Sequence, residues 1–232
     1  MMKIDIASRV DHTLLKMGVS KEVLNKFVSE GVKYMVRGLV VSPYNVSYVR
    51  EFLKHMNYSN IRLVSVVSFP LGETFLDVKL REINKLCEIG IDDIDIVTNV
   101  SNLINSEFDK FREEVESIVE YAKNVCKRDT ILKLIVEVTL LNKQQLERAI
   151  DIVNEFRPDY LKTSTGYGPR GVNKEDVVFI RSRLDPSIKI KVSGGIRSYH
   201  QALELIKAGA EIIGSSRGVD IIKEALEYEE KT

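Results

Sequence analysis

The chain has 232 residues, with 34 Lys and Arg balanced by 34 Asp and Glu. It therefore lacks the net basic field of a dedicated nucleic-acid binder. Its apolar runs are strand-sized, far short of the ~20 residues that span a bilayer, and no charged-then-apolar leader opens it, so a cytoplasmic protein is expected.

Short β-branched runs alternate with amphipathic stretches, separated by glycine, proline or serine. The runs predict strands at 11–15, 35–41, 61–67, 94–97, 131–137, 160–163, 188–193 and 211–214. Helices are expected after each, including 106–127, 143–156, 198–208 and 219–230. Eight βα units fit a closed parallel barrel better than an open doubly wound sheet. No composition shift or linker divides the chain, so one (β/α)8 TIM barrel domain is expected over 1–232.

Cys87 and Cys126 fall in helix-like stretches without zinc or disulfide spacing, and read as half-buried structural thiols. His12, His55 and His200 are scattered without nearby acidic or cysteine partners, so neither metal nor cofactor is expected.

Side chains alternate along a strand, and the apolar parity of a barrel strand faces the helices. In 189–193 this rule sends Lys189, Lys191 and Ser193 inward, and in 93–96 it sends Asp93 and Asp95 inward. The inward set is Lys133, Ile135 and Glu137 on the fifth strand, and Tyr160 and Lys162 on the sixth. An unpaired buried charge costs several kcal/mol, so such a cluster needs mutual pairing or a catalytic purpose. Lys189 and Asp93, nearer the opposite mouth, suit ion pairs that hold the barrel together. Asp95, Glu137, Lys162 and Lys191 stand near the carboxyl ends of their strands, where barrel active sites form. Lysines on adjacent strands depress one another's pKa, and a neutral amine attacks a carbonyl to form a Schiff base.

Three glycine- and hydroxyl-rich segments follow the last three strands: Thr165-Gly166-Tyr167-Gly168, Ser193-Gly194-Gly195 and Gly214-Ser215-Ser216-Arg217-Gly218. Close backbone approach and helix N-termini suit a phosphate there, with Arg170 and Arg217 as possible guanidinium partners.

Over nearly its whole length the chain resembles the deoxyribose-phosphate aldolase family. The resemblance rests on Asp11-His12-Thr13-Leu14-Leu15-Lys16, Phe69-Pro70-Leu71-Gly72, Asp92-Asp93-Ile94-Asp95-Ile96-Val97, Lys162-Thr163-Ser164-Thr165-Gly166 and Lys191-Val192-Ser193-Gly194-Gly195-Ile196-Arg197. It implies a metal-independent class I aldolase that reversibly cleaves 2-deoxyribose 5-phosphate to acetaldehyde and glyceraldehyde 3-phosphate. Lys162 matches the Schiff-base lysine, Lys191 the second lysine that lowers its pKa, and Asp95 the proton-relay carboxylate. Lys133 matches a family lysine taken as a substrate contact, and Gly166, Gly194, Gly195 and Ser216 match the phosphate loops. The expected partners are a sugar phosphate and an aldehyde, with a homo-oligomeric dimer or tetramer.

The chain departs from the family pattern in places. It has Val40-Val41-Ser42-Pro43 where many members have cysteine then asparagine before the proline, and Tyr167 and Arg217 replace more usual residues in the phosphate loops. Three other readings are an aldolase with a dihydroxyacetone-type donor, an isomerase or synthase using Lys162 as an electrostatic contact, and a non-catalytic sugar-phosphate-binding barrel.

Overall fold

Eight β-rich runs become eight parallel strands, and each strand pairs with its neighbours in sequence until β8 closes on β1. The computed structural model describes residues 5–58 and 60–230; the ends of the expected 1–232 domain, 1–4 and 231–232, lie outside the described residues, as does 59. The order is β1 (Val10–Leu14), α1 (Lys21–Lys33), β2 (Gly38–Val41), α2 (Val46–His55), β3 (Arg62–Val67), α3 (Leu76–Ile89), β4 (Asp93–Val97), α4 (Val100–Ile104) and α5 (Phe108–Val125). It continues with β5 (Ile131–Ile135), α6 (Lys143–Phe156), β6 (Tyr160–Lys162), α7 (Lys174–Arg181), β7 (Lys189–Ser193), α8 (Tyr199–Lys207), β8 (Ile212–Ser215) and α9 (Gly218–Glu230). This is a (β/α)8 barrel.

Local chemistry sets the helix starts. Asn142 and Asn173 open α6 and α7 with reciprocal capping boxes to Gln145 and Asp176, and Ser20 and Ser198 cap α1 and α8. The apolar parity of the strands, including Leu134, Leu161, Ile190 and Val192, is fully buried in the shell between strands and helices. The interior divides. Val40, Val64 and Val66 form a small apolar cluster on the β2–β3 side, whereas β1 and β4 to β7 point charges at the axis.

Some expectations need correction. The second strand begins at Gly38 because Met35 is left-handed, with φ 49°, and exposed. The fifth ends at Ile135 because Glu137 is also left-handed, which takes its side chain off the strand parity. Lys189 sits at the exposed start of β7, its ammonium 5.7 Å from the Tyr160 ring centroid, so it is a cation–π contact at the bottom mouth. Cys87 and Cys126 are not free thiols. They form a disulfide with a Cα–Cα distance of 4.9 Å, because the barrel brings the carboxyl-terminal ends of α3 and α5 together across 39 residues of sequence. No helix among the described residues is long and apolar enough to cross a membrane.

Beneath the upper loops, Lys79 is fully buried on α3 and bonds to Glu114 of α5, to the Gly72 carbonyl and to the Val97 carbonyl. Gly72 permits this close assembly: its φ is 73°, and a Cβ there would lie 2.2 Å from the Thr98 carbonyl oxygen.

His12 lies outside the axial cluster, on the opposite parity of β1. Its ring stacks on Phe27 at 4.6 Å, and burial pushes its pKa down to about 4. The unfolded chain therefore binds a proton near pH 6.5 that the folded state refuses, so stability is full above that pH and falls as pH drops toward 4. About 2 kcal/mol is expected to be lost between pH 7 and pH 5. Urea unfolding at the two pH values reads this loss, and His12→Phe is expected to remove most of it.

Candidate active site

Strand register assembles the charges. Lys133 lies opposite Asp95 in the β4–β5 ladder, and Lys162 lies opposite Lys191 in the β6–β7 ladder. Asp95 is fully buried and accepts three ammonium groups: Lys162 Nζ at 2.8 Å and Lys191 Nζ at 2.6 Å on Oδ2, and Lys133 Nζ at 3.0 Å on Oδ1. Asp11 accepts Lys191 Nζ at 2.6 Å, and Asp93 accepts Lys133 Nζ at 2.5 Å. Below them, Arg37 spans the two outer carboxylates, 2.7 Å from Asp11 and 2.8 Å from Asp93, and Arg62 also bonds Asp93.

The three lysines on these strands differ in what surrounds them. Burial pushes the Lys162 amine down to about 8; Lys191 and Lys133 act in the same direction, and Asp95 only partly offsets them. Lys191 is just as buried, but Asp11 and Asp95 together outweigh burial and raise its pKa. Burial also disfavours the Asp95 carboxylate, yet Lys133, Lys162 and Lys191 hold its pKa well below the usual range. The site thus combines an easily deprotonated amine, a persistent ammonium and a persistent carboxylate within hydrogen-bond reach.

Above the cluster a cavity of about 320 Å³ opens at the carboxyl ends of the strands. Among the three lysines of the cluster, Lys162 alone lines it. Asp95 and Lys191 lie directly beneath, one hydrogen bond from that amine. Lys133, the expected substrate contact, is fully buried between Asp93 and Asp95, paired with both and not part of the cavity wall. It stands lower on β5, level with Asp95.

The opposite wall carries Gly166, Gly194, Gly195 and Ser216, with Lys16, Arg197 and Arg217 contributing positive charge. Helix α9 begins two residues beyond Ser216, so its positive end meets this wall. The loops after β6 and β7 touch backbone to backbone. Gly195 has φ 75°, and a Cβ there would lie 2.9 Å from the Gly171 Cα. Glu137 fastens the same region by accepting the Thr165 N–H at 2.8 Å and its hydroxyl at 2.6 Å. Arg170 is turned away, held by Asp176 at 2.6 and 2.8 Å, so it is not a cavity cation. Phe69 and Tyr167 meet edge to face at 5.6 Å across the mouth.

Sequence reasoning left Asp11 and Arg37 without a role. The alternation Val10-Asp11-His12-Thr13-Leu14 carried the signal for Asp11. Arg37 shares the helix-facing parity of Leu39 and Val41 in the expected 35–41 strand, and in the structure it precedes β2, so alternation did not point to it.

The chain is 39% identical over 224 residues to the deoxyribose-phosphate aldolase of Caldicellulosiruptor saccharolyticus, covering 97% of this chain and 100% of that protein. The chain belongs to the deoxyribose-phosphate aldolase family. The aldolase of the same name from Thermococcus gammatolerans is 36% identical over 225 residues, 97% of this chain and 98% of the relative. Among solved structures, an aldolase named QR15 superposes with a TM-score of 0.89 at 31% identity, over 99% of each chain. The tetrameric deoxyribose phosphate aldolase of Aeropyrum pernix gives 0.85 at 30% identity, over 98% of this chain and 92% of that one. No family model matches. The protein is accordingly an aldolase, a carbon–carbon lyase.

Proposed function

We propose that this family member reversibly cleaves 2-deoxy-D-ribose 5-phosphate to acetaldehyde and D-glyceraldehyde 3-phosphate, with Lys162 as the Schiff-base nucleophile. The observation that carries the assignment is the position of Lys162: a buried amine of lowered pKa that borders the cavity while touching Asp95.

In the synthetic direction the neutral Lys162 amine adds to the acetaldehyde carbonyl, its proton passing to the oxygen, and the hydroxyl so formed takes a second proton, from the Lys191 ammonium, and leaves as water to give an iminium. The iminium acidifies the donor methyl group. Removal of one methyl proton gives an enamine, whose carbon attacks the glyceraldehyde 3-phosphate carbonyl as the new oxygen takes a proton. Hydrolysis then frees the sugar and restores the amine. Lys191 rests as an ammonium and Asp95 as a carboxylate, so Lys191 donates the protons the oxygens take, Asp95, with a water, accepts the one removed from the methyl group, and that proton and the one freed on hydrolysis restore the Lys191 ammonium. The wall of Gly166, Gly194, Gly195 and Ser216 receives the phosphate, assisted by Arg217 and the start of α9.

The family relationship and the sugar-phosphate chemistry also support a cytoplasmic protein of one domain that forms a homo-oligomer; the relative from Aeropyrum pernix is tetrameric.

The test is borohydride reduction in the presence of 2-deoxyribose 5-phosphate, followed by peptide mapping. A reduced adduct on Lys162 is the expected result. An adduct formed only with dihydroxyacetone phosphate would change the donor class, and no adduct with either sugar in folded protein would overturn covalent catalysis.

A further inference from the structure

The floor of the site contains a residue that the chemistry above does not use. Arg37 stands just ahead of β2 with its side chain 13% exposed, and it donates to two fully buried carboxylates at once. Those carboxylates are the second partners of the two lysines flanking Asp95: Asp11 holds Lys191, and Asp93 holds Lys133. The adjacent residue is matched to this contact. A Cβ on Gly38 would lie 2.7 Å from Asp11 Oδ1, the same oxygen that accepts Arg37 at 2.7 Å.

We propose that Arg37 is a positioning residue of the aldolase site: by bridging Asp11 and Asp93 from below, it fixes both and supplies a positive charge that favours loss of the proton from the Lys162 amine. The proposal rests on Lys162 being the nucleophile. With that amine neutral, four cations, Arg37, Arg62, Lys133 and Lys191, face three carboxylates, Asp11, Asp93 and Asp95. A proton on Lys162 would add to an already positive cluster. Without Arg37 the remaining cations and carboxylates balance, and protonating Lys162 becomes easier. Asp11 would also lose one of its two anchors, freeing the carboxylate that orients Lys191.

The groups that face Lys162 are known from each side. Asp93 and Asp95 come from β4, Lys133 from β5, Tyr160 from its own strand, Lys191 from β7 and Asp11 from β1. Arg37 and Arg62 approach from below, while Lys16, Arg197 and Arg217 line the cavity above, and Glu137 is engaged with Thr165. Substituting Arg37 removes one charge from this set and leaves the other charged groups present, with Asp11 still held by Lys191 and Asp93 by Lys133 and Arg62.

The experiment is the pH dependence of kcat/KM for 2-deoxyribose 5-phosphate cleavage in wild type, Arg37→Met and Arg37→Lys, with borohydride trapping mapped in parallel. In Arg37→Met the acid limb is expected to move up by about one pH unit, the effect of one charge at ~10 Å in an effective dielectric of ~20. Activity at pH 7 then falls about tenfold and recovers in alkali. Arg37→Lys keeps the charge and is expected to hold the limb near its wild-type position. A folded Arg37→Met protein with an unmoved limb, or with a loss equal at every pH, overturns the proposal. Should that variant not fold, Asp93→Asn removes a carboxylate that does not touch Lys162, and the limb is expected to move down; a limb that stays or rises overturns it equally. The two readings fail differently. A wild-type adduct on Lys162 with an unmoved limb sinks only the role of Arg37, whereas a wild-type adduct elsewhere sinks the Lys162 assignment and this proposal with it.

Discussion

Replacing Lys162 with methionine is expected to abolish aldol turnover while making the fold more stable. The loss follows from chemistry: no thioether forms an imine, and deleting the covalent nucleophile of an interdependent site is expected to cost ~10⁴-fold or more in kcat. The gain follows from linkage. The folded pKa of Lys162, about 8, lies below that of an unfolded lysine. Its contribution to stability is therefore full above the unfolded value of about 10.5 and is lost as pH falls through 8. At pH 7 the buried ammonium costs about 3 kcal/mol, and methionine, also unbranched, removes that cost. Asp95 is not orphaned, because Lys133 and Lys191 remain bonded to it. Urea unfolding at pH 7 beside a turnover assay checks both halves. An inactive variant that is also less stable would mean that Lys162 contributes to the fold as an ordinary ion-pair member.

Asp95→Asn is expected to damage stability and activity together. The asparagine would present an amide where three ammonium groups now meet a carboxylate, and breaking a buried ion pair costs about 3–5 kcal/mol. That is a large part of the ~5–15 kcal/mol that holds a domain together. Loss of the proton acceptor is expected to lower kcat by about 10²–10⁴-fold. The pH profile separates two roles. Asp95 favours the ammonium form of Lys162, so its removal drops the amine pKa below about 8 and moves the acid limb to lower pH. A neutral amine in slower turnover identifies Asp95 as a proton carrier. An unchanged kcat with a shifted limb would reduce it to an electrostatic neighbour.

The strand positions were legible because β-branched runs and helix caps are local signals. Asn142 with Gln145 marks the start of α6 at the expected residue. Parity, also local, placed Lys133, Lys162, Lys191, Asp93 and Asp95 on the inward face, and the glycine-rich loops marked the wall that carries Gly166, Gly194, Gly195 and Ser216. Parity failed where the backbone left the strand. Glu137, in a left-handed conformation, became a clamp on Thr165, and Met35 fell outside its strand.

The amino-acid sequence by itself determined the eight βα units, the inward charges and the kinship that the relatives bear out, because each is written in alternation, capping and motif order. The tertiary structure alone decided the partners. Strand register set Lys162 beside Lys191 and Lys133 beside Asp95, while barrel closure brought Asp11 from β1 to Lys191 of β7, 180 residues away in sequence. The same closure placed Arg37 under two aspartates and joined Cys87 to Cys126. Ion pairing and disulfide formation depend on separations of a few ångströms between residues remote in the chain, and no local pattern of residues encodes such a distance.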